Sequence, residues 1–367
     1  MVAESHELAD SVLSLLFSQE PTNKYMVSIE VRRIMSDRTK YRELCMAEPT
    51  IPIFSQDWWL DAVCGEANWD VITLEKNNDI YATLPYYFQN KRGSLYITMP
   101  LLTQTLGPWM RPTKAQKYRT KLGSEMDTLS KLVEAIPPFK SFEQYFHHSI
   151  TTWLPFYWNG YRQTTRYTYI FPDLTNLDRI YEDVDHGVRK YISKAKDEID
   201  VVETEDLRRF YEINTAVFTK QDRKVPYSYE FLSQLDGTLR RRGKRSILFA
   251  VDKSGELRAG LYLVWSGDCT YSLMSGIDPK FQNDGALRLL FWEGIKNASK
   301  VTRTFDFEGS MLKPVERNFR KFGPIQTPYL HVYKKNTFQD KLTKSLSDLR
   351  HGRRGSSKPK ADTDAES

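Results

Sequence analysis

The stretch SILFAVDKSGELRAGLYLVWSGDCTYSLMSG, residues 246–276, contains three apolar runs separated by two short polar turns. The turns DKSG and SGD contain residues that favour tight chain reversals. The runs are rich in aliphatic and aromatic residues, which suit a half-buried strand. The pattern therefore predicts a meander of three antiparallel strands. This meander decides the fold because a similar one occurs a second time in the chain, which indicates a duplicated domain.

The earlier copy of this meander consists of VITLE (71–75), IYATLPYYF (80–88) and SLYIT (94–98), with turns KNND and NKRG. A predicted helix and a further strand follow each meander. Each copy then ends on a similar segment, NGYRQTTRYTYI at 159–170 and FGPIQTPYLHVY at 322–333. Three matched blocks in the same order indicate two copies of one domain.

The second copy is the clearer one. A short strand, DVVET, and two helices, EDLRRFYEINTAVF and YSYEFLSQLDGTLRRR, precede its meander. After the meander we expect a helix over 284–299, the strand TRTFDFE, a turn of helix at PVERNFRKF and the strand TPYLHVYK. Successive strand residues point to opposite faces, so Asp306 and Glu308 share one face while Phe305 and Phe307 share the other. One face is then core, and the other is a candidate site.

Length and composition restrict the class of protein. A chain of 367 residues suggests about two domains, and its apolar runs are shorter than the roughly 20 residues of a membrane span. The polar N-terminus lacks the basic start of a secretory signal, so we expect a cytoplasmic protein. The three cysteines show no CxxC spacing and predict neither disulfides nor a metal site.

The repeat and the charge distribution divide the chain into five segments. We expect an extension at 1–39, helical or disordered, a first domain at 40–175, a single basic linker helix at 176–199, a second domain at 200–335 and a disordered basic tail at 336–367. The net charge is +6, and the last 34 residues carry nine Lys or Arg against five Asp or Glu. The nearly neutral body argues against bulk electrostatic binding of nucleic acid.

The order of elements in the second copy resembles the GNAT acyltransferase fold. The resemblance is strongest over YSLMSGIDPKFQNDGALRLLFWEGI and FDFEGSMLKPVERNFRKFG. Two such copies resemble the Fem-type peptidoglycan aminoacyltransferases and their acetyltransferase relatives. This implies a mixed α+β protein with two tandem GNAT-like domains, each a mostly antiparallel mixed sheet flanked by helices. It also implies an N-acyltransferase that passes an acetyl or aminoacyl group to an amine, for example on a cell-envelope or polysaccharide precursor, without a metal.

The resemblance implies where the acyl donor binds. In GNAT folds the third meander strand and the strand after the next helix separate, and the donor lies between them. QNDGAL resembles the family's phosphate-binding turn, so Gln282, Asn283, Gly285 and Ala286, with Ser275 on the third meander strand, are the donor-binding candidates. Leu287 and Asp284 depart from the motif, and Asp284 adds a negative charge where a pyrophosphate would approach. The donor is therefore either an acyl-CoA such as acetyl-CoA or an aminoacyl-tRNA, and tRNA is a candidate partner.

Asp306 and Glu308 are the catalytic candidates, because a carboxylate can take the proton of an attacking amine. The structural alternative is that they pair with Arg317 or Arg320 and tie the last helix to the sheet. By position in the fold, the acceptor-binding candidates are Trp265, Tyr271, Arg317, Arg320 and, from the first copy, Trp109. Core packing is the alternative for Trp265.

A second class of function stays open at this point. The imperfect phosphate turn and the basic tail are compatible with a non-enzymatic scaffold that binds RNA, tRNA or a protein partner. Other chemistries lack their motifs, because the sequence contains no GxxxxGK loop, no HExxH and no GxSxG elbow. The oligomeric state is not predicted.

Overall fold

The computed structural model describes residues 38–220 and 224–336. The predictions for residues 1–37 and for the tail from 337 onward lie outside this part. In the first half, the element bounds are α1 (Arg38–Ala47), α2 (Asp57–Cys64), β1 (Trp69–Lys76), β2 (Asp79–Lys91), β3 (Ser94–Thr98), β4 (Trp109–Met110), α3 (Tyr118–Glu134), β5 (Ser141–Tyr145), α4 (Leu154–Trp158) and β6 (Arg162–Phe171).

The second half begins with two short helices and then repeats the order of the first. Its bounds are α5 (Leu177–Asp183), α6 (His186–Glu198), β7 (Ile199–Thr204), α7 (Leu207–Lys220), α8 (Tyr229–Arg241), β8 (Arg245–Asp252), β9 (Leu257–Ser266), β10 (Cys269–Ile277), α9 (Ala286–Ala298), β11 (Thr304–Asp306), α10 (Lys313–Arg320) and β12 (Ile325–Lys335).

The two halves have the same strand pairing. In the first half β1, β2 and β3 form an antiparallel meander, and β3 runs parallel to β5 across helix α3. In the second half β8, β9 and β10 form the meander, and β10 runs parallel to β11 across helix α9. The predicted meanders and the predicted duplication are confirmed.

The halves share one sheet because they exchange their last strands. The order is β1-β2-β3-β5-β12-β6-β11-β10-β9-β8-β7, with β4 paired to β2. Strand β12 of the second half lies between β5 and β6 of the first half. Strand β6 of the first half pairs in turn with β11 of the second. This exchange, by which each half completes the sheet of the other, was not predicted from the sequence.

Helices cover both faces of the second half's sheet. On one face α6 and α9 bury Leu261, Leu263, Phe305 and Phe307. On the other face α2, α7 and α8 enclose an apolar cluster that includes Tyr271. The alternation predicted for the FDFE stretch is confirmed, because Asp306 lies opposite Tyr271 in the parallel ladder and so points to this second face.

Two local predictions were wrong. The predicted linker helix is in fact two helices, α5 and α6, separated by extended backbone at Val184, after which the Asp185 carboxylate accepts the Val188 N–H at 3.2 Å and begins α6. Strand β11 is shorter than predicted, because the chain turns at Glu308. In the part of the chain that the structure describes, no helix is long and apolar enough to cross a membrane.

Candidate active site

Strands β10 and β11 separate at one point, which we call the fork. They pair at three positions, the last being Tyr271 opposite Asp306. Strand β10 then continues, paired with β9 alone, to Ile277. The segment after β11 turns away at Glu308 and Gly309, which both have a positive φ. A Cβ on Gly309 would lie 2.2 Å from the Tyr167 carbonyl oxygen, so only glycine allows this close approach. The predicted separation of the two strands is therefore present.

Asp306 is the last paired residue of the fork and is only 2% exposed. Its Oδ1 accepts two hydrogen bonds, one from the Thr168 hydroxyl and one from the Glu308 backbone N–H at 2.6 Å. Burial raises the pKa of Asp306 to about 7, although both hydrogen bonds act to lower it. This carboxyl therefore changes its protonation state near neutral pH, where a general base is most effective.

Glu308 lies beside Asp306, and one of its carboxylate oxygens lacks a hydrogen-bond partner among the described residues. Its Oε1 is buried and accepts no hydrogen bond from any residue in the described ranges. Burial raises the pKa of Glu308 well above its ordinary value, and the charge of Asp306 raises it further. The two carboxyls therefore form a coupled pair that is reluctant to carry two negative charges.

The alternative that arginines neutralise this pair does not hold. Arg320 forms its ion pair with Glu316 at 2.8 Å, and Arg317 is exposed on the same helix, α10. This helix packs Phe319 against Phe307 on the face opposite Asp306. Within residues 38–220 and 224–336, no Lys or Arg comes within ion-pair distance of either carboxyl. Arg317 and Arg320 thus lie away from the predicted site.

Side chains from both halves surround the carboxyl pair. Tyr271 packs edge-on against Phe54 with ring centroids 5.1 Å apart. Burial, with the charges of Asp306 and Glu308 among the further causes, raises the pKa of Tyr271. Gln104 donates a hydrogen bond at 3.2 Å to the Thr168 hydroxyl. Of the predicted acceptor-binding residues, only Tyr271 is therefore next to the carboxyls.

The two predicted tryptophans are elsewhere. Trp265 pairs with Thr270, which pairs with Phe305, so its side chain lies on the face opposite Asp306. Trp109 is buried in a core of the first half, where its indole N–H donates to the Thr50 hydroxyl at 3.1 Å. Neither residue is brought to the carboxyl pair.

The predicted phosphate turn does not fit a pyrophosphate. At the start of α9, the Asp284 carboxylate accepts the Ala286 N–H at 2.8 Å and pairs with Arg258 at 3.1 Å. A Cβ on Gly285 would lie 2.7 Å from the Tyr191 carbonyl oxygen, so helix α6 covers the turn. Gly285 and Ala286 are buried, while Gln282 and Asn283 are exposed. An anion of the chain already occupies the position where a donor phosphate would accept backbone N–H groups.

Ser275, the remaining donor candidate, lies on the unpaired side of the fork. It is half-buried on β10, beyond the last residue that pairs with β11. Its backbone carbonyl accepts a hydrogen bond from the Asn214 side chain at 2.8 Å. The part of β10 that the fold predicts to lie beside a donor is therefore present, although the phosphate turn is closed.

The match to known proteins agrees with this architecture. Residues 183–312 match the family model described as an acetyltransferase (GNAT) domain. The resemblance to the GNAT fold seen in the sequence is therefore confirmed over these residues. No curated protein sequence matches the chain.

Solved structures extend the GNAT similarity to both halves. FemX superposes with a TM-score of 0.60 at 11% identity, covering 85% of this chain and 97% of FemX. The C-terminal domain of a putative lysylphosphatidylglycerol synthetase from Agrobacterium fabrum superposes at 0.48 and 12% identity, covering 85% of this chain and 96% of that one. L-PGS from Bacillus licheniformis superposes at 0.47 and 13% identity, with 86% and 97% covered. The FemX superposition shows that the tandem fold is shared.

Several residues around the GNAT domain's carboxyls were missed from the sequence. Thr168 and Gln104 belong to the first half, and Tyr329 lies on the exchanged strand β12. A signal was present in QTTRYTYI, where the polar residues Thr164, Arg166 and Thr168 occupy alternate positions, as expected for one polar strand face. Nothing in the alternation indicated that this face lies beside Asp306.

Proposed function

We propose that the protein is an N-acyltransferase in which Asp306 and Glu308 receive the proton of an attacking amine. The observation that supports this most is the buried carboxyl pair at the fork, with Asp306 titrating near pH 7. Strongly raised pKa values in a buried pair are typical of acid–base sites. The GNAT fold is compatible with acyl transfer at this fork.

The proposed chemistry needs one proton acceptor and no covalent intermediate. A primary amine is mostly protonated at neutral pH and must lose a proton to attack. The carboxyl pair takes that proton, and the amine nitrogen forms a bond to the acyl carbon. The bond from carbon to the leaving oxygen or sulfur breaks, and the leaving group departs with the electron pair and takes up the second proton that the nitrogen loses. Thr168 and the Glu308 N–H favour ionisation of Asp306 before Glu308, so Asp306 is assigned as the first base.

The proposed donor is an activated acyl ester or thioester, and two classes are considered. An acyl-CoA would need a phosphate site other than the turn before α9, because Asp284 and helix α6 close that turn. This favours aminoacyl-tRNA as the donor. The proposed acceptor is an amine on a cell-envelope or polysaccharide precursor.

A scaffold without catalysis is the second candidate. The closed phosphate turn favours the scaffold. A GNAT-like protein that binds no acyl donor could have this turn filled by its own Asp284 side chain. The scaffold hypothesis expects binding of RNA, tRNA or a protein partner without any consumption of donor. Binding of RNA would then weaken steeply with salt.

The test offers both donors and a panel of amines to the purified full chain. Charged tRNA and acetyl-CoA are each incubated with amino sugars and lysine-containing peptides, and acylated products are detected by mass spectrometry. The Asp306→Asn, Glu308→Gln double variant is compared with Asp197→Asn, which changes an exposed carboxylate on α6. We expect product with the wild type and the Asp197 variant, and none with a double variant that keeps a cooperative thermal transition. Full activity of the double variant would remove the pair from the mechanism.

A further inference from the structure

A polar and aromatic surface leads from solvent to the carboxyl pair along β6 and β12. Residues opposite each other share this face: Thr168 with Thr327, Arg166 with Tyr329, and Thr164 with His331. Exposure rises along β6 on this face, because Thr168 is 2% exposed, Arg166 is half-buried and Thr164 is exposed. We call this surface the β6–β12 face. Its geometry suits a molecule that enters with one end at the carboxyls.

Arg166 is the cation of this face. Its guanidinium lies 4.9 Å from the centre of the Tyr145 ring, and the residue is half-buried. In the described part of the chain, no carboxylate lies within ion-pair distance of it. A partly desolvated cation without a counter-ion is costly, and an anion bound there would offset the cost.

His331, beside Arg166, has a polar atom that lacks a partner. Its Nε2 lies 3.0 Å from the Glu143 carboxylate, and its ring is 4.5 Å from Tyr145. Its Nδ1 is buried and has no hydrogen-bond partner among the described residues. Glu143 also accepts a hydrogen bond from the Tyr145 hydroxyl at 3.3 Å, and it forms no ion pair with Arg166. Two groups that need a ligand therefore lie side by side.

We propose that Arg166, with Tyr145, Tyr329 and His331 around it, forms a subsite for an anionic group of the amine acceptor. The proposal rests on the proposed function and adds a determinant of acceptor specificity to it. The β6–β12 face also sets the distance between this subsite and the carboxyl pair. Arg166 lies two residues from Thr168, which is about 7 Å along a strand. Thr168 touches Asp306.

The acceptor should therefore carry a phosphate or carboxylate about 7 Å or more from its reactive amine. A simple α-amino acid does not meet this requirement, since its amine and carboxylate are separated by one carbon. Amino sugar phosphates and the side-chain amines of long diamino acids do meet it. Both share one chemistry, an amine and an anion at opposite ends of a short molecule.

Binding is tested without relying on turnover. Inorganic phosphate, and separately acetate, is titrated into the full chain while the C2 protons of the six histidines are followed by NMR. The His331→Gln variant assigns the reporter resonance. We expect a saturable shift of the His331 signal that disappears in Arg166→Gln and persists in Asp306→Asn. An unchanged His331 signal with both anions, or an equal shift in Arg166→Gln, would overturn the proposal.

Kinetics then separate this proposal from the proposed function. With glucosamine 6-phosphate as acceptor, Arg166→Gln should raise KM about tenfold or more and change kcat little, because one charge-assisted contact is lost. Arg166→Lys should recover part of the loss, since it keeps the charge but not the planar fork. Glucosamine, which has no anion, should show no difference between the variants. Phosphate binding at Arg166 without any turnover would refute the function alone, whereas turnover that is insensitive to Arg166→Gln would refute the subsite alone.

Discussion

Replacement of Asp306 by Asn tests the central electrostatic claim. The Asn side chain has the same shape and keeps an oxygen that can accept from Thr168 and from the Glu308 N–H. It removes the titration of Asp306 and, with it, the charge that raises the pKa of Glu308. A change in stability that depends on pH therefore reports the pKa of Asp306 rather than a packing defect.

The sign and size of the pH-dependent change in stability follow from the pKa of Asp306. In the folded protein the pKa of Asp306 is about 7, against an ordinary value of 3.8. Between these pH values the folded state binds more protons than the unfolded state, so stability falls as pH rises and is constant again above about pH 7. Some three pKa units at 1.36 kcal/mol each give an upper limit of about 4 kcal/mol. We expect Asp306→Asn to be more stable than the wild type at about pH 8 and to lose this advantage toward about pH 4.

Urea denaturation at several pH values measures the difference. The free energy of unfolding is determined for wild type, Asp306→Asn and the control Asp197→Asn between about pH 5 and pH 8. The Asp197 variant, altered at an exposed carboxylate, should follow the wild type at every pH. An Asp306→Asn variant that is destabilised by the same amount at all pH values would refute the claim that burial, and not a hydrogen bond to the charged form, governs this carboxyl.

Three further predictions concern the fold and the donor. Gly309→Ala should destabilise by about 2 kcal/mol or more, because its Cβ meets backbone at 2.2 Å, whereas Gly93→Ala, with positive φ but open space, should cost about 1 kcal/mol; equal losses in chemical denaturation would contradict this. Phe307→Ala should cost about 3–5 kcal/mol in the same assay, since the ring is 1% exposed, and a loss near that of the exposed Tyr118→Ala would refute it. Acetyl-CoA at millimolar concentration should leave the thermal midpoint unchanged, and a saturable rise would show that a pyrophosphate binds despite Asp284.

The local elements of the fold could be predicted because they depend on local patterns. The meander from residue 246 to residue 276, helix α9 and the alternation of Phe305 and Asp306 all follow from periodicity and turn residues. The strand exchange could not be predicted in this way. The exchanged strands β6 and β12 come from similar segments at equivalent places in the two copies, so their patterns do not show which sheet each joins.

The candidate site could be predicted only in part for the same reason. Asp306 and Glu308 follow from the alternation, but the pairing with Arg317 or Arg320 was suggested by closeness in sequence alone. The reversal at Gly309 and the packing of Phe319 on Phe307 send α10 to the opposite face. Thr168, which touches Asp306, is separated from it by 138 residues, and no local pattern reports a contact at that distance.

The strand exchange explains why both copies are needed for the properties of the carboxyl pair. Asp306 belongs to the second half, yet strand β6 of the first half covers the edge of β11, and Thr168 supplies its hydroxyl. Burial is the largest cause of the raised pKa of Asp306. Without β6, the edge of β11 would face water and the pKa of Asp306 would move back toward that of an ordinary aspartate. The first copy therefore contributes burial and the Thr168 hydroxyl to the carboxyl pair, and the raised pKa of Asp306 is a property of the joined sheet.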